Sequence, residues 1–197
     1  MTPMKNALLV VDVQNDFCPG GNLSVPGGDE IIPVLNRYLR VFQAAQLPIF
    51  VSRDWHPSVT KHFKAYGGMW PPHCVQGTKG AEFHPNLTLP KEAEVVSKGM
   101  DPDQDSYSAF QAYAANGTDL GALLRKQGVK RLFVGGLATD YCVKQSVLGA
   151  IREGLKAVIL EDAVKGVDVA LGDSEKALQE MTEAGAKKIH FQQLTLR

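Results

Sequence analysis

The chain is short of the features that mark most specialised protein classes. Only three of its 197 residues are cysteine (Cys18, Cys74 and Cys142); they cannot all pair, and no C-x-x-C occurs. That argues against a disulfide-stapled secreted domain and makes a reducing cytoplasm the expected location. An excess of one charge is also missing, since 21 basic residues balance 21 acidic ones and no long block of one sign occurs. The expectation is therefore no nucleic-acid partner and no membrane partner. No basic-then-apolar leader precedes the first apolar stretch, and that stretch, residues 7–11, is far too short to span a bilayer. Internal repeats, low-complexity tracts and an H-E-x-x-H zinc motif are absent as well.

What remains is an ordinary globular composition, 44% hydrophobic and 21% charged. The length suits one domain, residues 1–197, which buries about 70% of its unfolded surface without help from disulfides or metals. Short runs that are apolar on both faces (residues 7–13, 48–53, 94–97, 131–134, 156–160 and 187–191) alternate with amphipathic segments. Helices are expected over residues 29–46, 119–127, 139–153 and 173–184, with apolar residues every three or four positions and Gly128, Gly154 and Gly185 as stops. The pattern predicts an α/β fold: a three-layer, doubly wound, six-stranded parallel sheet with helices on both faces. One stretch, residues 54–90, breaks the rhythm. It is rich in Gly and Pro and holds four of the five histidines and both tryptophans. A loop that long and that aromatic reads as ordered and functional rather than disordered.

Ligands of open parallel sheets bind beyond the carboxyl ends of the strands. The residues expected there are Asp12, Asp54, His56, Lys98 and Cys142. Cys142, near a helix start, reads either as a nucleophile favoured as a thiolate by the helix N-terminus or as a small buried apolar residue. Asp12 reads as a proton carrier or a solvated turn acid, and Lys98 as a buried counter-charge or a surface lysine. Asp54 and His56 lie two apart on an extended segment, with His62 and His73 following. This donor set suits Zn, Fe or Mn better than Ca or Mg, although clustered loop histidines also arise without any metal. Cys18 and Cys74 read as buried apolar residues, and His84 and His190 as structural.

The sequence as a whole resembles the nicotinamidase/pyrazinamidase branch of the isochorismatase-like cysteine hydrolases, from Leu8 to about Phe191. The motifs that carry the likeness are V-D-V-Q-N-D-F-C (11–18), D-W-H (54–56), W-P-P-H-C-V-Q-G-T (70–78), K-G (98–99), D-S-Y-S-A-F (105–110) and G-L-A-T-D-Y-C-V (136–143). The resemblance implies a catalytic triad of Asp12, Lys98 and Cys142, with an oxyanion hole made by the backbone N–H groups of Ala138 and Cys142 beside a cis Leu137–Ala138 bond. It implies one divalent metal ion, zinc first and iron or manganese next, on Asp54, His56 and His73, with His62 as a fourth ligand in some members. Phe17 and Trp70 would sandwich a pyridine ring, and Tyr107 would form part of the rim. Residues 100–104, between Lys98 and Tyr107, are a stretch that only some members have. The implied partner is a small molecule, nicotinamide, hydrolysed through a cysteine thioester, and pyrazinamide is a second expected substrate; assembly as a homo-oligomer is left open. The alternative within the superfamily is an amidase for a carbamoyl or ureido substrate, whose site lacks the metal loop.

Overall fold

The structure, a computed structural model, describes residues 5–196; residues 1–4 and 197 of the expected 1–197 domain lie outside the described residues. The elements run β1 (Asn6–Val11), α1 (Ile32–Ala44), β2 (Ile49–Asp54), β3 (Glu94–Lys98), β4 (Tyr113–Ala114), α2 (Leu120–Lys126), β5 (Arg131–Leu137), α3 (Lys144–Arg152), β6 (Lys156–Lys165), α4 (Asp173–Glu183) and β7 (Lys187–Ile189). The sheet order is β4-β3-β2-β1-β5-β6-β7. The six expected strands all run parallel, and the two-residue β4 adds a seventh, antiparallel edge strand against β3.

Every residue of β1 is buried, because the strand lies at the middle of the sheet with a layer on each face. Leu8 and Val10 join a core with Leu35, Tyr38, Leu39 and Phe42, the inward stripe of α1. Ala7, Leu9 and Val11 point the other way, into a core shared with α2, α3 and α4 through Leu124, Val147 and Met181. One helix thus covers one face and three cover the other, giving the three expected layers.

The boundaries shift where local chemistry competes with periodicity. The expected helix over 29–46 starts as a 3₁₀ turn, Gly28–Ile31, and becomes α-helical at Ile32, so Pro33 stays within the first turn, where its missing N–H has no intrahelical partner to lose. Asp119 caps α2 by accepting from Ala122 N–H at 2.8 Å. The expected strand over 156–160 continues to Lys165: Glu161 and Asp162 break the apolar run, yet the register jump against β5 keeps the chain paired beyond them. Asp162 then accepts from the buried Tyr38 hydroxyl at 2.9 Å and from Phe191 N–H at 2.8 Å. Among the described residues, no helix is long and apolar enough to cross a membrane.

Strand order reverses between β1 and β5. β2 and β3 lie to one side of β1, and β5, β6 and β7 to the other. The carboxyl ends of these neighbours therefore face the crevice where such sheets bind ligands.

Candidate active site

β1 ends at Val11, and Asp12 turns the chain with a φ of +50°. That left-handed conformation is uncommon for a residue with a side chain, and Asp is one of the few that tolerates it. The Asp12 carboxylate is fully buried; Oδ1 accepts from Ser52 Oγ at 2.7 Å. Oδ2 lies 2.8 Å from Lys98 Nζ, a buried ion pair. Lys98, the last residue of β3, is buried to 1% exposure. Its ammonium also pairs with Asp54 Oδ1, and it lies 3.3 Å from Ser106 O and 3.4 Å from Cys142 Sγ. Donor atoms of Asp12, Asp54 and Cys142 lie within 4.8 Å of one another. One buried cation thus faces two carboxylates and a thiol.

Burial dominates the electrostatics. It raises the Asp12 carboxyl above its ordinary range despite the opposing Lys98 ammonium. It would raise Asp54 too, but the Lys98 ammonium and then His56 hold that carboxyl well below the usual range. Burial disfavours the charged form of Lys98, yet Asp12 and Asp54 outweigh it and keep the ammonium charged. The Cys142 thiol is pushed well above its ordinary value by burial, with Lys98 opposing and the two carboxylates adding to the rise. This opposes the thiolate that a helix start alone would favour. The residues around the sulfur, Thr139–Val143, form a π-helical turn ahead of α3, and the sulfur sits buried beside two carboxylates and one ammonium.

Asp54 ends β2, and His56 follows one residue into the long loop. One ring nitrogen from each of His56, His62 and His73 lies within 4.8 Å of the others, and all three residues are buried. The Nδ1 atoms are engaged: His56 with Gly99 O at 3.0 Å, His73 with Pro71 O at 2.8 Å, and His62 with Asp105 Oδ1. The Nε2 atoms are left to converge, and His56 Nε2 is buried without a partner. Asp54 Oδ2 lies 3.7 Å from His56 Nε2 and 3.9 Å from His73 Nε2, so it faces the same point. Burial lowers both His62 and His73, the latter to about 4, which keeps their imidazoles neutral near pH 7. Three buried imidazoles, a carboxylate and an orphaned buried nitrogen make a donor set that fits a divalent transition metal. The structure brings His62 into this cluster as closely as the other histidines. His84 and His190 lie outside it, bonded to Asn86 N–H and paired with Glu161.

Both clusters open into one pocket, whose walls enclose about 440 Å³ including its mouth. Phe17, Trp70, Tyr107, Ala138 and Cys142 line it together with Asp54, His62 and His73. Trp70 Nε1 donates to Tyr107 Oη at 2.9 Å, and the Trp70 ring meets Tyr141 edge-on at 5.1 Å. The Leu137–Ala138 peptide is cis. A larger concavity lies elsewhere, about 1000 Å³ on the same measure and walled by Lys5, Gln43, Gln46 and Gln127, but it holds no such cluster.

Several contributors escaped the sequence reading. Gln14 clamps the Asp54 backbone, accepting from its N–H and donating to its carbonyl, both at 2.8 Å. Asp16 accepts from Cys74 N–H at 2.7 Å and so pins the His73 loop. Ser52 holds Asp12, Asp105 holds His62, and Tyr141 walls the pocket. Gln14, Asp16, Asp105 and Tyr141 sit inside the motifs quoted above, next to residues that were recognised; Ser52, on an apolar strand, carries no signal.

Comparison with known proteins finds relatives over nearly the whole chain. The isochorismatase domain model matches residues 6–193. A nicotinamidase of Escherichia coli is 42% identical over 199 residues, covering 91% of this chain and 92% of that protein. The crystal structure of a pyrazinamidase of Pyrococcus horikoshii in complex with zinc is 46% identical, with a TM-score of 0.88, covering 95% of this chain and 99% of that one. A protein of L. infantum, solved in complex with nicotinate, is 33% identical with a TM-score of 0.82, covering 98% of this chain and 96% of that one.

Proposed function

The chain belongs to the isochorismatase family, and on that premise we propose that it hydrolyses nicotinamide to nicotinate and ammonia through a thioester on Cys142. The observation that carries this reading is the buried contact set of Asp12, Lys98 and Cys142, opening into the same aromatic pocket as the three-histidine cluster. A divalent ion, zinc by likeness to the Pyrococcus protein, would be held by Asp54, His56, His62 and His73, and would supply a Lewis acid that anchors the pyridine nitrogen directly or through water.

The residues of the chain do the rest. Phe17 and Trp70 hold the flat ring, which sets the carboxamide over Cys142 and converts binding into orientation. Asp12, poised by burial to accept a proton, takes the thiol hydrogen as sulfur attacks the carbonyl carbon. Lys98, 3.4 Å from that sulfur, stabilises the negative charge that moves onto it. The N–H groups of Ala138 and Cys142 receive the oxyanion of the tetrahedral intermediate. Asp12 returns its proton to the departing nitrogen, the C–N bond breaks, and ammonia leaves. Water then gives a proton to Asp12, its oxygen cleaves the thioester, and the proton returns to sulfur. Pyrazinamide, with a ring nitrogen in the same relation to its carboxamide, fits the same steps. A carbamoyl or ureido substrate leaves the aromatic walls and the histidine cluster without a task.

Ammonia release from nicotinamide tests this reading, compared with release from an N-carbamoyl amino acid and with release after treatment by a chelator. Rapid release from nicotinamide, lost with the chelator and regained with zinc, is expected. Release from the carbamoyl compound alone would overturn it.

A further inference from the structure

The three histidines hold their Nδ1 atoms in two different ways. His56 and His73 bond to main-chain oxygens of Gly99 and Pro71, which are parts of the fold. His62 bonds to a side chain, the carboxylate of Asp105, and that carboxylate is 60% exposed while the His62 side chain is 4% exposed. Asp105 closes the arm of residues 100–105, which lies along the His62 loop: Pro102 O accepts from Lys61 N–H at 2.8 Å and from Thr60 Oγ1 at 3.1 Å. The arm therefore brings a negative charge from the surface to the outer edge of a buried imidazole.

We propose that Asp105 is a positioning residue for the metal site: by accepting from His62 Nδ1–H it fixes the tautomer and ring angle that turn His62 Nε2 toward His56 and His73, and so makes His62 a fourth ligand. The inference rests on the metal reading of the histidine cluster. An imidazole has one hydrogen on two nitrogens. Committing it to Nδ1 leaves the Nε2 lone pair for the ion, and a carboxylate partner also makes that lone pair more basic. Among the described residues, no acceptor other than Asp105 binds the His62 ring. Without Asp105 the site would fall back on Asp54, His56 and His73, whose orientations do not depend on the arm.

The test uses the full chain stripped of metal. Zinc affinity is measured by competition with a chromophoric chelator, and the visible absorption of the cobalt(II)-loaded protein reports the number and geometry of the ligands. Asp105→Ala is expected to weaken zinc by about 10–100-fold, the usual consequence of losing such an outer partner, and to give the cobalt spectrum of His62→Ala. Asp105→Asn keeps a neutral acceptor and should recover part of the affinity. Lys61→Ala removes the exposed Lys61–Asp103 pair, 2.7 Å long, without touching His62, and should change neither readout. Wild-type affinity and an unaltered spectrum in Asp105→Ala would overturn the proposal while leaving the metal reading intact. So would equal losses in Lys61→Ala and Asp105→Ala, since the arm would then act only as a prop. A wild-type chain that takes up no zinc would overturn the metal reading and this inference with it.

Discussion

Replacing Lys98 by Met removes one charge and little volume from the centre of the site. The Nζ atom is 2.8 Å from Asp12 Oδ2 and 3.4 Å from Cys142 Sγ. At an effective dielectric of ~20, a unit charge at these distances is worth about 6 kcal/mol to the carboxylate and about 5 kcal/mol to a thiolate. The second figure bears on catalysis, because the charge reaches sulfur only during the reaction. Allowing for relaxation, kcat/KM for nicotinamide should fall by about 10³-fold or more. The first figure bears on stability. Deleting one member of a buried pair typically costs about 3–5 kcal/mol, and here two carboxylates lose their common partner. The loss depends on pH. Asp12 already has a raised carboxyl, and without Lys98 it rises further. An acid that holds its proton more tightly folded than unfolded favours the folded state as pH falls. The deficit of Lys98→Met against wild type, measured by urea unfolding, should therefore narrow as pH is lowered toward the range where Asp12 is protonated, and widen above it. Turnover within tenfold of wild type, or a deficit that grows on acidification, would refute this account of Lys98.

Asp12→Asn keeps the shape of the side chain but cannot carry a proton, so ammonia release should drop by about 10²–10⁴-fold while nicotinamide still binds by calorimetry. Gly99→Ala places a methyl 2.4 Å from His56 Cε1 and 2.7 Å from its Nδ1, at a φ of +68° that also strains alanine; the ring must move, and metal analysis should find less bound zinc than in wild type. His73→Ala should lower both metal content and nicotinamide affinity, and benzamide, which lacks the ring nitrogen, should bind wild type poorly; equal affinity for the two amides would count against an anchored nitrogen.

The parallel sheet was legible because its strands are apolar on both faces, a pattern that only a sandwiched sheet rewards. From it came the strand ends, and from those ends Asp12, Asp54, Lys98 and Cys142. β4 was not legible: Tyr113 and Ala114 have no period, and their pairing depends on β3 being near. Neither was the far half of β6, where Glu161 and Asp162 look like a strand's end until Tyr38 and Phe191 are seen to satisfy Asp162. The π-helical turn at Cys142 escaped because residues 139–153 carry an ordinary helical period. The upward push on the thiol escaped with it, since it depends on burial and on the charges around the sulfur, which are matters of packing. Ser52 and Asp105 act through partners 40 and 43 residues away, a pairing that no local spacing reveals.

The central claim is a covalent bond between Cys142 and the acyl part of nicotinamide. Protein quenched in acid during turnover and weighed intact by mass spectrometry tests it most directly. Wild type should carry a fraction heavier by nicotinamide less ammonia, on the peptide containing Cys142, and this fraction should vanish once substrate is exhausted. Cys142→Ala should bind nicotinamide yet gain no mass and release no ammonia. Ammonia release by Cys142→Ala at a rate near that of wild type would contradict the mechanism.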